Sequence, residues 1–384
     1  MSARNLTPYG GILKTIITGT FKRGATVGTV ALGAMALLLT GCGQAPAPAG
    51  GGGSTSGNAA AANYLGCIVS DSGGFDDQSF NQSSYEGLKK TVTDTGIKMK
   101  EAQSTTKADF EPNLNQMANA GCNLTFTVGF LLADATKKVA TADPKLHFAI
   151  IDDNSIKLPN VKPVVYDTAQ AAFLAGYTAA SVSKTGKVGT FGGINIPTVT
   201  IFMDGFAEGV AYYNKQQSKN VQVLGWNVAT QQGLFANTFD IIQEGTKATN
   251  NLIGDGADVV MPVAGPLGKG AGDAILAANK TGKDVKLVWV DSDGYLTAPT
   301  YKSILLTSVI KTMGDAVETI VKDDLAGKYS ATPYIGTLDN GGVAMAPFHD
   351  LDSAVSAATK TQLDTIKKGI IDGSIKVESK SSPK

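Results

Sequence analysis

The chain has 384 residues, 43% apolar, 17% charged and 7% aromatic, with 45 glycines, 14 prolines and three cysteines. These figures exclude a collagen-like repeat, a disulfide-stapled miniprotein and a disordered charged protein, and the length asks for two domains or one two-lobed body. The formal charge is zero, but Arg4, Lys14, Lys22 and Arg23 are the only charges in the first 63 residues, so the rest, with 29 basic and 33 acidic groups, stands at about −4. Such a body is a poor partner for nucleic acid, whose binding rests on neutralising phosphates.

From the N-terminus, residues 1–24 are basic and polar, and Ala25 to Thr40 is a sixteen-residue uncharged run. That run is short for a membrane span and has the layout of a secretory signal. It ends Leu39-Thr40-Gly41-Cys42, which resembles the bacterial lipobox, where the cysteine becomes the acylated first residue of the mature protein. The expectation is a signal peptide over residues 1–41, removed on maturation. Palmitate-type chains on Cys42 then hold the protein to the outer face of the cell membrane. Residues 42–63, rich in Ala, Pro, Gly and Ser without charge, read as a lipidated flexible tether with a reach of roughly 25 Å.

With Cys42 acylated, Cys67 and Cys122 remain in an oxidising compartment, each at the start of an apolar strand-like run. They read either as a disulfide, if those strands are neighbours, or as two buried thiols. The two histidines, His147 and His349, stand at no ligand spacing from a cysteine or from each other, so neither a metal site nor a histidine triad is expected. No cofactor motif is present, since no Gly-x-Gly-x-x-Gly follows the first strand.

From Tyr64 onward, short apolar or β-branched runs alternate with helical stretches: YLGCIVS, SFNQSSYEGLKKTVTDT, IKMKEA, DFEPNLNQMANAG, LTFTVGF and so on to KLVWVDSDG. This is the pattern of an α/β fold with parallel sheets. Ten or so strands exceed one such sheet, and the pattern restarts near residue 186, which predicts two doubly wound lobes. The expected boundaries are 64–167 plus 295–335 for the N-terminal lobe and 168–294 plus 336–384 for the C-terminal one. The chain would cross near Asp167 to Ala169, Gly294 to Pro299 and Gly336 to Asp339, and Asp339-Asn340-Gly341-Gly342 reads as hairpin-like.

Sites in such sheets collect at the carboxyl ends of strands. Here those ends are acidic, glycine-rich or aromatic: Ser70 to Asp77, Val128-Gly129-Phe130, Ile151-Asp152-Asp153, Gly192-Gly193, Val263 to Pro266 and Val290 to Gly294. Six such loops facing one cleft suit a polar small molecule.

At these residues the sequence resembles the basic membrane protein or PnrA-like purine nucleoside-binding lipoproteins of ABC importers. The core DDQSFNQS within Asp71 to Gly87 looks like that family's acidic pair followed by Ser-Phe-Asn, and the blocks from Leu252, Val288 and Ile304 agree in order. The resemblance implies a type I periplasmic-binding-protein-like fold, two lobes on a multi-stranded hinge, closing on a nucleoside of the guanosine, inosine or adenosine class and presenting it to an ABC permease. It implies no enzymatic activity. Carried over by motif, Asp71, Asp76 and Asp77 accept hydrogen bonds from the base, and Asn81 belongs to the same binding block. Phe80 and Phe235 cover the two faces of the base, with Phe239 competing for the latter role. Asp134 touches the ligand, Gly265 lets the backbone approach, and Asp291 and Lys311 hold the sugar.

The chemistry of those roles stands beside the resemblance. A carboxylate and an ammonium match the adjacent hydroxyls of ribose, and flat purine faces match phenylalanine rings. An acidic lip disfavours nucleotides. Two other readings are a sugar or autoinducer receptor of the same fold, for which Trp226 or Trp289 facing the cleft would speak, and a nucleoside hydrolase whose calcium would need Asp71, Asp76 and Asp77 together.

Overall fold

A computed structural model describes residues 56–383, so the expected signal peptide, the lipidation at Cys42 and the first part of the tether lie outside the described residues. The body opens with helix α1 (Ser56–Asn63), eight residues that the sequence reads as part of the tether. Its Ala59 to Ala62 run consists of the strongest helix former, and Ala61 is buried in the core, so folded structure begins before Tyr64.

The chain then runs through β1 (Leu65–Ser70), α2 (Phe80–Thr95), β2 (Lys98–Ala102), α3 (Lys107–Asn119), β3 (Leu124–Val128), α4 (Ala133–Ala142), β4 (His147–Ile151) and β5 (Val161–Tyr166). After α5 (Thr168–Val182) comes a second series. It comprises β6 (Lys187–Gly192), α6 (Pro197–Gln217), β7 (Gln222–Leu224), the ribbon β8 (Trp226–Asn227) with β9 (Gln232–Gly233), and α7 (Ile242–Gly254). It continues through β10 (Val259–Val263), α8 (Gly268–Lys280), β11 (Lys286–Asp291), α9 (Gly294–Thr297) and β12 (Leu305–Lys311). The last elements are α10 (Met313–Leu325), β13 (Tyr334–Gly336), β14 (Val343–Met345) and α11 (Ala357–Ile371).

These strands form two six-stranded sheets, ordered β2-β1-β3-β4-β5-β13 and β7-β6-β10-β11-β12-β14. Neighbours are parallel throughout except β12 and β14. The two orders are one pattern written twice, which makes β4 the counterpart of β11 and β5 that of β12. Strands β3 and β11 are buried at every position, as expected when helices cover both faces of a parallel sheet.

The lobe boundary differs from the expected one at residue 295. Strand β12 belongs to the second sheet, registered on β11 from Val288 opposite Thr307 to Asp291 opposite Ile310. A buried apolar strand needs backbone partners on both sides, and β12 finds them in β11 and β14. The chain returns to the first lobe only at Thr312, through α10. That helix lies so close to α2 that a Cβ on Gly87 would sit 2.3 Å from Gly314 Cα, which is why both positions are glycine.

The remaining crossings lie at Asp167, between β5 and α5, and at residues 337–342, between β13 and β14. The latter turn reads as a hairpin, yet its flanking strands enter different sheets. Asn340 Oδ1 closes it by accepting from the amides of Thr337 (2.8 Å) and Gly342 (2.9 Å). Cys67 on β1 and Cys122 beside β3 form a disulfide with a Cα separation of 5.9 Å, made reachable by the pairing of those two strands. Among the described residues, no helix is long and apolar enough to cross a membrane.

Candidate ligand cleft

The carboxyl ends of both sheets face one cleft with about 570 Å³ of space free of protein atoms, part of it open to solvent. The first lobe contributes Asp71, Asp77, Phe80, Asn81, Phe130 and Asp152 to its walls, and the second contributes Phe202, Phe239, Gly265, Asp291 and Lys311.

The cleft has a polar end built by the duplicated topology. Asp152 follows β4 and Asp291 ends β11, the counterpart strand, and both hold a left-handed backbone (φ 66° and 70°), a conformation aspartate tolerates better than most residues. Between them lies Lys311, at the end of β12. Its Nζ is 2.5 Å from Asp152 Oδ2 in the opposite lobe and 3.4 Å from Asp291 Oδ1 in its own. The ammonium also sits 4.9 Å from the Phe80 ring centre and 5.1 Å from that of Phe202. Burial alone would lower the lysine's pKa, but the Asp152 and Asp291 carboxylates outweigh it and hold the group above its ordinary value.

The other end offers acceptors beside apolar walls. Asn81 Nδ2 donates to Asp71 Oδ1 (3.2 Å) and to the Ser72 carbonyl (3.0 Å), while the buried Asn81 Oδ1 has no hydrogen-bond partner among the described residues. Burial pushes Asp71 well above the carboxylate range; the Asn81 bond pulls it back, and Asp77, Asp152 and Asp240 push it further. Gly129 (φ 112°) makes room for this carboxyl, since a Cβ there would fall 1.9 Å from Asp71 Oδ2. Asn81 Oδ1 is thus an acceptor left for a ligand's N–H group.

Asp76 and Asp77 take other places than the motif suggested. Asp77 caps α2: its two oxygens accept the amides of Ser79 (2.9 Å), Asn81 (2.8 Å) and Gln82 (3.0 Å). It lines the cleft with few lone pairs to spare. Asp76 is exposed outside the lining, and its carbonyl receives Lys269 Nζ at 2.9 Å from the second lobe. With Asp76 turned away, the three aspartates do not gather as a calcium site requires.

The rest of that motif joins the lobes. Gln78, held at φ 65°, points its carbonyl at three second-lobe donors: Trp289 Nε1 (3.2 Å), Ser292 Oγ (2.9 Å) and Thr297 Oγ1 (2.8 Å). Ser79 Oγ donates toward the Val290 carbonyl (3.0 Å) and Asp291 Oδ2 (3.1 Å).

Asp134 lies exposed in the first turn of α4, away from the lining, where its charge complements the helix N-terminus. Phe235 also lies outside the lining. Its ring packs edge-on against Trp226 and over Gly192, where a Cβ would meet it at 2.5 Å. Phe239 occupies the corresponding seat over Gly193 and reaches the cleft. Neither tryptophan lines the cleft: Trp226 donates to Asp204 Oδ1 (2.9 Å), and Trp289 serves the Gln78 seam.

Asp152, Phe130 and Phe202 were not singled out in the sequence. The first two stood in strand-end loops, Ile151-Asp152-Asp153 and Val128-Gly129-Phe130, where position alone was the signal. Phe202 lies within α6, where an aromatic reads as core.

The family model described as ABC transporter substrate-binding protein PnrA-like, Bmp, matches residues 66–381. A Lactococcus lactis subsp. cremoris protein named ABC transporter nucleoside-binding protein BmpA is 32% identical over 374 residues, covering 94% of this chain and 99% of the relative. Basic membrane protein A of Borreliella burgdorferi is 28% identical over 312 residues, covering 80% and 86%. In fold, the chain is similar to the crystal structure of an ABC transporter system solute-binding protein from Aeropyrum pernix K1. The TM-score is 0.73 at 23% identity, over 82% of this chain and 92% of that one. Two duplicated parallel sheets facing a cleft are the type I solute-binding architecture, and the chain belongs to the Bmp family of PnrA-like ABC transporter substrate-binding proteins.

Proposed function

We propose that this substrate-binding protein captures a purine nucleoside between its lobes, is held outside the cell by lipid on Cys42, and hands its ligand to a membrane-embedded ABC permease without performing chemistry on it. The observation that carries the reading is the divided character of the cleft. One end has Asp71, the Asn81 Oδ1 that no described residue partners and the Phe239 ring, suited to the N–H edge and flat face of a base. The other end has Asp152, Lys311 and Asp291, two acceptors around one donor, suited to the adjacent hydroxyls of ribose. The Lactococcus relative's name as a nucleoside-binding protein supports the same ligand class. Closure carries the signal to the permease, because a loaded and an empty receptor then differ in shape.

Calorimetry on the chain from residue 43 onward, unfolded and refolded to strip carried-over ligand, tests this with guanosine, inosine, adenosine, cytidine and ribose. Micromolar or tighter binding of a purine nucleoside, about −8 kcal/mol, with ribose silent, is expected. Ribose binding with silent nucleosides would make it a sugar receptor, and release of free base during the titration would make it a hydrolase. Mass spectrometry of the mature N-terminal peptide tests the anchor; an unmodified Cys42 would refute it.

A further inference from the structure

Beside the polar end of the cleft lies further space. A second chamber, with about 1000 Å³ of space free of protein atoms, part of it open to solvent, adjoins the cleft, the two sharing Phe130, Asp152 and Thr198 in their walls. Its first-lobe wall is Asp153, Asn154 and Ser155; its outer wall is Lys380 to Pro383, from the C-terminal tail. That wall is built rather than incidental. Ser379 Oγ donates to Asp204 Oδ2 (2.6 Å), Ser381 Oγ pairs with Thr200 Oγ1 (2.8 Å), and Ser382 Oγ donates to Asp167 Oδ1 (3.0 Å) at the lobe crossing. Tyr166 also lines the chamber, and its buried hydroxyl has no hydrogen-bond partner among the described residues.

Resting on the nucleoside reading above, we infer that this chamber takes a substituent on the 5′ carbon of the ligand, so that the substrate class includes 5′-extended purine nucleosides whose extension is uncharged or cationic. The geometry follows from the sugar's chemistry. With the base at the Asp71 end and the 2′ and 3′ hydroxyls engaged by Asp291 and Lys311, the 5′ arm is the one exocyclic position of ribose left over, and the chamber lies beside Asp152. The charge preference follows from the walls. Lys311 is already shared by Asp152 and Asp291, and the rest of the wall sets the buried Asp153 against the exposed Lys380, so a phosphate finds no cationic cradle there.

The test titrates the chain from residue 43 onward with adenosine, 5′-amino-5′-deoxyadenosine, 5′-methylthioadenosine and adenosine 5′-monophosphate, and with the guanosine counterparts. The amino and methylthio compounds are expected to bind within about tenfold of their parent, and the phosphate at least about 100-fold more weakly. Asn154→Trp, which fills the chamber from a residue outside the cleft, should leave the parent's affinity within about twofold and weaken the methylthio compound more than about tenfold. Binding of the parents with loss of every 5′ derivative, or an Asn154→Trp variant that binds the derivatives as well as the wild type does, would overturn this inference and leave the nucleoside reading intact. Silence of parents and derivatives alike would overturn both.

Discussion

Lys311 and Asp152 join the two lobes through an ion pair of 2.5 Å, buried at the inner end of the cleft and one residue from the crossing at Thr312. Because Asp291 also faces this ammonium, the lysine is, among the described residues, the only cation for these two carboxylates in the cleft wall. Lys311→Met should therefore destabilise the fold by about 3 to 5 kcal/mol, the usual cost of leaving a buried charge unpaired. Asp152→Asn should cost less, since Lys311 keeps Asp291. Urea unfolding of both variants at pH 7 measures this, and equal midpoints for Lys311→Met and wild type would show that the pair does not hold the lobes together.

The two phenylalanines after β9 should separate binding from stability. Phe239→Ala removes a cleft wall and should weaken nucleoside affinity by about 1 to 3 kcal/mol, the range of a base stacked on an aromatic ring. Phe235→Ala empties a packed seat against Trp226 and should instead lower the unfolding midpoint with affinity little changed. Calorimetry paired with thermal melts on both variants gives the answer; the opposite assignment would restore Phe235 to the site.

Asp77 makes the stability of the fold depend on pH. Burial pushes it up to about 6 from an ordinary 3.8, even against its three amide donors. The folded state holds this proton more tightly than the unfolded chain, so the contribution to stability is full below the unfolded value and is lost as pH rises through the folded one. Asp77→Asn cannot titrate. The stability difference between wild type and this variant should shift in the wild type's favour by about 1 kcal/mol when pH falls from 7 to 5. A difference that does not change with pH would mean that Asp77 ionises as an unfolded aspartate does.

The disulfide between Cys67 and Cys122 closes a loop across the first lobe, with a sequence separation of 55. Cys67→Ala with Cys122→Ala should cost about 2 to 4 kcal/mol in urea unfolding. Thiol titration of the wild-type chain from residue 43 onward in denaturant should find none; two free thiols would refute the bond.

The alternation of strands and helices was legible because burial on both faces of a parallel sheet leaves continuous apolar runs between amphipathic helices. The strand-end rule likewise led to Asp71, Asp291 and the glycines that flank them. The partner of β12 was not legible, because pairing between strands leaves no trace in the local pattern of either. The same limit explains Asp76 and Asp77. A strand-end carboxylate that faces a cleft and one that caps the next helix look alike in sequence, and only the amide bonds from Ser79, Asn81 and Gln82 tell them apart. Asp152 was the mirror case: its role is set by a topological equivalence with Asp291 that appears once both sheets are ordered.

The placement of β13 at the outer edge of the first sheet governs when this chain can become a protein. Tyr334 pairs with Val164, and α10 supplies the surface on which α2 closes at Gly87 and Gly314. A chain emerging N-terminus first thus exposes an open strand edge along β5 and a bare helix face until residues beyond 330 arrive, whatever the first lobe has gathered before then. Termination before Gly336 would omit an edge strand from each sheet, β13 from the first and β14 from the second, and so leave both lobes unfinished.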